Sequence, residues 1–313
     1  MQPTDNGNTL LENRRNMKKV RTLYECITRD RWEIGFVEGG LDAVMGQDPL
    51  KVNWLQHGYK DRWFADPFVL DVSDSEIWVL VEEYRYETKK GRIALLVVDR
   101  QSYELKEFKI VLEEAFHLSF PAIWRENGKV YVYPESWNSG ALSCYEYKNG
   151  CCDIVSKHML CEEAMADAIM TKRFGKRQLF AVRENDKLRI YNFDSQTQRF
   201  VFSYEKPFGK ATARNAGDFF EYEGEIYRPA QVCVDHYGEA LEIQKVVYDD
   251  DENYCFIPYK TLYSTHNTLN IGMHTLNSYK GVAVVDVHGW NNALTVKSIV
   301  TLKKLFLDCK QIQ

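Results

Sequence analysis

Short runs rich in apolar residues recur along the chain from residue 32 onward, and turn-forming residues separate them. Representative runs are WEIGFV at 32–37, IWVLV at 77–81, IALLVV at 93–98 and VYVY at 130–133. Between such runs lie segments like ENGK at 126–129, where Asn-Gly accepts the positive φ angles of tight hairpins. Helical periodicity is weak throughout, and the best helical candidate, EEAMA at 162–166, is short. The pattern predicts an all-β protein.

An internal repeat makes this prediction more specific. Five segments share one plan: a small residue, a distinctive and mostly polar residue, an apolar strand, a turn and a second strand. The second positions of the repeat are Asp66, Phe120, Asp167, Asp218 and Met273, with steps of 54, 47, 51 and 55 residues. A period of about 50 residues that carries four strands is typical of propeller blades. The sequence therefore predicts a five-bladed β-propeller with four-stranded antiparallel blades, and a pair of β-sandwiches is the main alternative.

The repeat also suggests the domain organisation. Residues 31–313 are expected to form a single propeller domain, and residues 1–30 an N-terminal tail or cap. That tail contains a short basic run, which consists of Arg14, Arg15, Lys18, Lys19 and Arg21. The formal net charge of the chain is −5, so a solvated terminus explains this run better than a nucleic-acid-binding arm does. We expect no nucleic-acid partner.

The apolar stretches and the cysteines indicate the cellular location and the redox state that we expect for the protein. No stretch approaches the roughly 18 apolar residues that a membrane span needs, and the N-terminus has no apolar secretory signal. We therefore expect a cytoplasmic protein without a membrane span. The eight cysteines follow no disulfide framework, so we expect them to be reduced. A loose cluster matches no established zinc spacing, and we assign no metal to it; its members are Cys144, Cys151, Cys152, His158 and Cys161.

The predicted propeller gathers polar residues at one end of its central channel. The first strand of each blade lines the channel, and the second strand runs antiparallel to the first. The start of the first strand and the end of the second strand therefore lie at the same opening of the channel. First-strand starts contribute Asp66, Asp167, Asp218 and His274, and second-strand ends contribute Glu82 or Glu83, Glu135, Arg183, Gln231 and Asp286. Arg214 and Asn215 lead directly into Asp218.

Converging carboxylates raise one another's pKa values unless cations lie between them. Arg183, Arg214 and Arg228 are the candidate cations. Two interpretations remain open. The cluster is either a ring of buried salt bridges that closes the channel or a ligand site, because pockets with a few converging polar groups are typical binding sites.

Several motifs at these positions are similar to known families. FADPF at 64–68 resembles the first-blade motif of the five-bladed arabinanase, invertase and levansucrase superfamily of glycoside hydrolases. A larger set resembles the N-terminal domain of plant glucosamine inositolphosphorylceramide transferases and their bacterial relatives: FADPF, HLSFPAI at 117–123, VYPES at 132–136, ARNAGD at 213–218, YRPAQ at 227–231 and GMHTLN at 272–277. The likeness implies a propeller in glycan metabolism. The glycosyltransferase domain of the plant proteins is a separate region with no counterpart here.

The hydrolase resemblance implies roles for individual residues. An Asp at the position of Asp66 is the general base or nucleophile in those enzymes. This chain has Phe120 where their pKa-tuning Asp would lie, and Asp167 where a Glu acid is expected. Glu135, on a second strand, is an alternative acid. The catalytic candidates are therefore Asp66, Glu135 and Asp167.

The first functional hypothesis is a glycoside hydrolase or transglycosidase, which needs two carboxyl groups flanking the glycosidic bond. Its substrate-binding candidates are Arg214, Asn215, Asp218, Arg228, Gln231 and His274. Each candidate also has a structural alternative. Asp66 could cap a strand by accepting hydrogen bonds from backbone N–H groups, Glu135 could pair with an arginine, and His274 could be a satisfied channel histidine.

The second hypothesis is a non-catalytic glycan-binding or accessory domain in polysaccharide or glycoconjugate synthesis. In that case aromatic residues would stack on sugar rings, and the candidates are Trp63, Trp124, Trp137 and Tyr227. A third hypothesis is a protein-interaction propeller. We expect a carbohydrate or glycoconjugate ligand and no cofactor. A carboxylate-rich channel can hold Ca²⁺, but no ligand spacing in the sequence supports such a site.

Overall fold

The computed structural model describes residues 29–183, 187–208, 212–249 and 253–290. The predicted tail over residues 1–30 therefore lies outside the described residues except for Arg29 and Asp30. The basic run lies outside them too, as do the last residues of the predicted domain, 291–313. No helix in the described ranges has the length and hydrophobicity that a membrane crossing requires.

The described chain forms strands throughout. The first half contains β1 (Asp30–Val37), α1 (Gly40–Met45), β2 (Val52–Trp54), β3 (Arg62–Val72), β4 (Glu76–Arg85), β5 (Lys90–Asp99), β6 (Leu105–Leu112), β7 (Ser119–Glu126), β8 (Lys129–Glu135), a 3₁₀ helix (Trp137–Ser139), β9 (Leu142–Lys148) and β10 (Cys151–Cys161). The second half contains β11 (Ala166–Thr171), β12 (Gln178–Val182), β13 (Lys187–Asp194), β14 (Arg199–Pro207), β15 (Phe220–Tyr222), β16 (Glu225–Val232), β17 (Ala240–Tyr248), β18 (Tyr254–Leu262), β19 (Leu276–Tyr279) and β20 (Val282–Trp290).

These strands form five four-stranded antiparallel sheets, which are the blades of a five-bladed β-propeller. Blades 1 to 4 use consecutive strands: β3–β6, β7–β10, β11–β14 and β15–β18. Blade 5 has the order β19-β20-β1-β2, so it combines strands from the two ends of the described chain. β1 pairs with β20 from Asp30↔Trp290 to Val37↔Ala283, and this pairing closes the ring. The predicted fold is confirmed.

The starts of blades 1 to 3 share an unusual backbone feature. Asp66, Phe120 and Asp167 have φ angles of 51°, 45° and 48°, and each lies at a shift in the register between the first and second strands. A positive φ at a residue other than glycine costs free energy, about 1–3 kcal/mol where the region is sparsely populated. Bulges of this kind redirect side chains and main-chain groups. The sequence repeat therefore marks a bulge at each of these blade starts.

The hydrophobic core lies between neighbouring blades. Phe68 of blade 1 packs edge-to-face on Phe120 of blade 2, with 5.0 Å between the ring centroids. Phe180 of blade 3 packs in the same way on Tyr254 of blade 4 at 5.2 Å. Offset and edge-to-face aromatic pairs are favourable beyond the area that they bury. Packing between the sheets holds the blades in a ring and leaves the strand ends free to form a site.

Candidate functional site

A cavity of about 480 Å³ opens at one mouth of the channel, and we call it the mouth pocket. Its volume is in the range of about 300–1,000 Å³ that is usual for small-molecule sites. Its lining consists of Arg29, Asp30, Trp32, Trp63, Ala65, Asp66, Glu82, Tyr84, Tyr86, His117, Ser119, Glu135, Asp167, Arg214, Tyr237 and His274. The pocket therefore combines acidic, basic and aromatic side chains.

The charged groups of the pocket come from the strand ends that the repeat predicts. Asp66 lies at the bulge within β3, Asp167 lies at the bulged start of β11, and Glu135 ends β8. Arg214 and His274 lie in the segments before β15 and β19. The structure thus brings together five candidates from five blades, all lining one pocket.

His274 lies between two carboxylates. Its Nδ1 is 2.8 Å from the Asp286 carboxylate and its Nε2 is 3.4 Å from Asp66 Oδ1. Burial alone lowers the pKa of His274, but the charges of Asp286 and Asp66 and the hydrogen bond to Asp286 raise it to about 9. The two carboxylates therefore favour the imidazolium form of the ring. The same contacts keep the pKa of Asp286 below its usual value although burial opposes this.

Asp66 has a structural role and also lines the pocket. Its Oδ2 accepts a 2.9 Å hydrogen bond from the Phe120 N–H, and its Oδ1 accepts one of 3.1 Å from the Thr275 hydroxyl. Burial raises the pKa of Asp66 to about 7, against the lowering effect of His274. The strand-capping role considered from the sequence is present in the structure, in a residue that also forms part of the pocket floor.

Glu135 and Asp167 form a second acidic pair. Glu135 Oε2 accepts a 3.1 Å hydrogen bond from the Asp167 N–H. Burial and the charge of Asp167 raise the pKa of Glu135 to about 8, although Arg214 opposes the shift. Arg214 Nε is 2.8 Å from Asp167 Oδ2, and the guanidinium lies over the Tyr237 ring at 5.0 Å. These contacts thus favour the protonated form of Glu135, whereas Asp167 has the Arg214 cation beside it.

Three further candidates lie behind the pocket. Arg228, Asn215 and Gln231 are fully buried and are absent from the pocket lining. Arg228 Nε donates to Asn215 Oδ1 at 2.7 Å, and Asn215 Nδ2 donates to the Asp167 carbonyl at 2.7 Å. Gln231 Nε2 donates to the Asn215 carbonyl at 2.9 Å. These residues support the segment that carries Arg214 and have no access to a ligand in the pocket.

Asp218 points away from the mouth pocket. Its N–H donates to Asn277 Oδ1 at 2.9 Å, and its charged neighbours are Arg173 and Arg125. Arg125 is near the end of β7 and Arg173 follows β11, so both lie at the strand ends opposite the pocket. The repeat places Asp218 at a blade start, but blade 4 has additional residues between Asn215, which bridges to β16, and the first residue of β15. That local insertion moves Asp218 along the channel.

Two other charged candidates are also directed elsewhere. Arg183 forms a 3.0 Å ion pair with Glu163 and does not line the pocket. Of the alternatives Glu82 and Glu83, Glu82 lines the pocket. Glu83 is fully buried and pairs with Arg92 at 2.9 Å. Neighbouring residues on a strand face opposite sides, which explains the difference between the two glutamates.

Of the four aromatic candidates for sugar stacking, one lines the mouth pocket and three lie elsewhere. Only Trp63 lines the mouth pocket, where it stacks on Tyr84 with a centroid distance of 4.7 Å and an angle of 7°. Trp124 lines a different cavity, between blades 2 and 3. Tyr227 is buried against Phe220. Trp137 is 45% exposed, in the 3₁₀ helix after β8.

Some pocket residues were not among the predicted site residues: Trp32, Tyr84, Tyr86, His117, Ser119 and Tyr237 line it as well. A two-residue alternation places Glu82 and Tyr84 on one face of β4 and continues to Tyr86, just beyond the strand; it could have revealed the two tyrosines. His117 stands in the HLSFPAI motif, and its Nε2 lies 3.2 Å from Glu82 Oε1. Tyr237 is in a loop, where no period indicates the direction of a side chain.

A metal site is the remaining question about the pocket floor. Asp66, His274 and Asp286 have potential ligand atoms within 4.8 Å of one another. Ca²⁺ takes six to eight oxygen ligands. Two carboxylates and one imidazole supply only about half of them, so other groups would have to provide the rest. The three side chains already bind one another or neighbouring N–H groups. Their arrangement fits an ion-paired histidine better than a calcium site.

Comparison with known proteins identifies the family. Residues 52–285 match the model of the family described as "Glucosamine inositolphosphorylceramide transferase 1, N-terminal". The chain belongs to this family. The resemblance derived from the sequence motifs is therefore confirmed.

Full-length relatives in the family are much longer than the matched region. The chain is 27% identical over 238 residues to glucosamine inositolphosphorylceramide transferase 1 of Arabidopsis thaliana, covering 72% of this chain and 31% of the plant protein. It is 26% identical over 215 residues to the protein of the same name from Oryza sativa subsp. japonica, covering 64% of this chain and 28% of the rice protein. The chain thus spans about a third of the length of these relatives.

Solved structures also show similarity. A xylotriose complex of the GH43_1 enzyme from Xanthomonas citri has a TM-score of 0.49 and 11% identity, covering 74% of this chain and 88% of that enzyme. The structure of RS223-Beta-xylosidase has a TM-score of 0.48 and 10% identity, covering 72% of this chain and 92% of that protein. Similarity at this level does not extend an activity from these enzymes to the present chain.

Proposed function

We propose that the mouth pocket binds the end of a glycan and transfers its terminal glycosyl group to water or to another hydroxyl. The observation that carries this proposal is the composition of the pocket. Buried carboxyl groups form its floor beside Arg214 and His274, and Trp32, Trp63, Tyr84 and Tyr86 contribute its aromatic surface. Aromatic side chains offer a broad apolar face with a polar edge, which suits a sugar ring. Charged groups such as Arg214 and the carboxyl groups fix such a ligand by hydrogen bonds.

Glu135 and Asp66 are the proposed acid and base. Burial and the charge of Asp167 raise the pKa of Glu135, and in its protonated form Glu135 would donate its proton to the glycosidic oxygen as the bond to the anomeric carbon breaks. Asp66, in its ionised form, would accept a proton from the attacking hydroxyl or water. Arg214 and His274 would hold ligand hydroxyl groups or a negative charge. Asp167 would remain the partner of Arg214.

Membership of the family supports a role in glycan metabolism. The plant relatives are named glucosamine inositolphosphorylceramide transferase 1. The present chain covers only about a third of each relative, so the name concerns a much larger protein. We infer from it a carbohydrate or glycoconjugate ligand for the propeller.

One observation favours a second candidate function, a glycan-binding domain without catalysis. Both oxygens of Asp66 already accept hydrogen bonds, from Phe120 and Thr275, and His274 lies beside them. A carboxylate held in this way has less capacity to take a proton from an attacking group. In this alternative, Asp66 serves the architecture of the pocket and the glycan is bound unchanged.

The test is an assay of the purified protein with aryl glycosides, oligosaccharides and activated sugar donors, followed by mass spectrometry. Glu135→Gln and Asp66→Asn are compared with the exposed control Arg183→Gln. Product that both pocket variants abolish, and the control retains, supports the catalytic proposal. Saturable binding without product supports the non-catalytic alternative. Neither binding nor product with any sugar would refute both.

A further inference from the structure

Of the predicted sugar-stacking residues, Trp137 lies close to the mouth pocket in sequence but does not line it. It is two residues beyond Glu135, which lines the pocket, and it begins the 3₁₀ helix Trp137–Ser139. Because β8 ends at the pocket, this helix lies on the rim of the mouth. The Trp137 side chain is 45% exposed, whereas Trp32 and Trp63 within the pocket are 7% and 9% exposed.

Hydrogen bonds hold this rim turn in one conformation. The Ser136 hydroxyl donates to the Ala141 carbonyl at 2.9 Å, and the Ser139 hydroxyl donates to the same carbonyl at 2.8 Å. Gly140 has a φ angle of 76° and its N–H donates to the Trp137 carbonyl at 3.1 Å. The turn is therefore closed on itself, and the indole projects from a fixed backbone. A fixed aromatic platform binds at a lower cost in conformational entropy than a mobile one.

The other aromatic candidates do not offer such a platform. The Trp124 ring is covered by the Arg177 guanidinium at 4.9 Å, and Tyr227 stacks on Phe220 at 5.6 Å. A single exposed aromatic residue is common on protein surfaces. Trp137 differs because it lies only two residues beyond the pocket residue Glu135 and because a hydrogen-bonded turn holds its backbone there.

We propose that Trp137 forms a second glycan subsite on the rim, so that the ligand is an oligosaccharide and not a single sugar. This inference rests on the proposed glycan binding of the mouth pocket. The pocket would hold the terminal sugar, and the next part of the chain would leave over blade 2 and stack on the exposed indole. Trp137 would then determine preference for chain length and contribute little to recognition of the terminal sugar.

The experiment uses an array of defined glycans from mono- to hexasaccharides and titrations of the wild-type protein with its best monosaccharide and the matching tetrasaccharide. The wild type is expected to bind the tetrasaccharide more tightly. Trp137→Ala should weaken tetrasaccharide binding about ten-fold, as expected for loss of one aromatic stacking contact. Monosaccharide binding should change less than about two-fold because Trp137 does not line the pocket.

Two variants serve as controls. Trp137→Phe keeps an aromatic face and should retain most of the preference for the longer glycan. Phe202→Ala removes a side chain with 44% exposure on β14 of blade 3, and it should affect neither ligand. Equal affinity of the wild type for the two glycans, or a Trp137→Ala variant that keeps the preference, would overturn the rim subsite and leave pocket binding intact. Failure of the wild type to bind any glycan would overturn both.

Discussion

The carboxylate of Asp66 accepts a 2.9 Å hydrogen bond from the main-chain N–H of Phe120, and these two residues hold the same position in consecutive blades. The Asp66 N–H in turn donates to Asp286 Oδ2 at 3.0 Å. Buried acceptors thus bind the N–H groups that the bulges expose, as buried polar groups require. The same carboxylates line or support the mouth pocket, so blade-to-blade contact and site chemistry depend on shared residues.

Asp66→Asn should therefore affect both stability and function. An amide keeps one acceptor oxygen but removes the charge beside His274, and we expect a loss of about 1–3 kcal/mol in the free energy of unfolding. Turnover, or binding if the domain is not catalytic, should fall at least about ten-fold. Chemical denaturation and the glycan assay measure the two effects. A variant with unchanged stability and unchanged function would contradict the role that we give to Asp66.

The stability of the protein should fall as the pH rises from about 5 to 9. The folded-state pKa values of Asp66 and Glu135, about 7 and about 8, lie above their ordinary values, so folding retains protons that the unfolded chain releases. His274, with a pKa of about 9, stabilises the fold fully below pH 6.5, and this contribution is lost as the pH rises through 9. Asp66, Glu135 and His274 therefore all lower the free energy of unfolding as the pH rises.

Thermal unfolding across this pH range checks the prediction. Glu135→Gln removes one titrating group, so its melting temperature should depend less steeply on pH between 5 and 8. Glu146→Gln, on β9 of blade 2, is the matched control and should keep the wild-type slope because Glu146 lies outside the pocket and pairs with the half-exposed Lys129. A melting temperature that rises with pH in this range would show that the pocket groups titrate differently.

Arg228→Met should destabilise the protein by about 3 kcal/mol or more. Arg228 is fully buried, and its guanidinium donates to Asn215 Oδ1, Gln244 Oε1 and two main-chain carbonyls. Methionine fills part of the volume but leaves these acceptors without a donor, and each such group costs about 1–3 kcal/mol. Arg183→Met, at an exposed ion pair, should cost less than about 1 kcal/mol. Equal effects in urea denaturation would contradict the supporting role of Arg228.

The contrast between Arg228 and Arg214 shows how much of the site the sequence could predict. The repeat correctly indicated the blades and the shared mouth, because strand ends follow from periodicity and turns. It could not indicate that Arg228 lies behind the pocket while Arg214 lines it, since that depends on which way each side chain packs. It also missed Trp32, because pairing of β1 with β20 joins parts of the chain that are far apart in sequence.

Gly217→Ala should prevent folding or destabilise the protein by more than about 3 kcal/mol. Gly217 has a φ angle of 155°, and a Cβ there would lie 1.9 Å from the main-chain oxygen of Leu276. The main chain at Leu276 cannot move aside as a flexible side chain can, so blades 4 and 5 would have to separate to make room for the Cβ. Gly58→Ala is the control, because a Cβ at that position meets no atom within 4 Å. Soluble expression and circular dichroism distinguish the two variants, and a normally folded Gly217→Ala protein would contradict the close contact.

If the pocket is catalytic, its activity should be greatest between about pH 7 and 8. The proposed mechanism needs ionised Asp66, with a pKa of about 7, and protonated Glu135, with a pKa of about 8. Activity should fall below pH 7 as Asp66 gains a proton and above pH 8 as Glu135 loses one. The pH dependence of kcat/KM for the best substrate of the glycan panel measures both limits. Glu135→Asp should keep the acidic limit and move the basic limit, whereas a basic limit that this variant leaves unchanged would assign the acid to another residue.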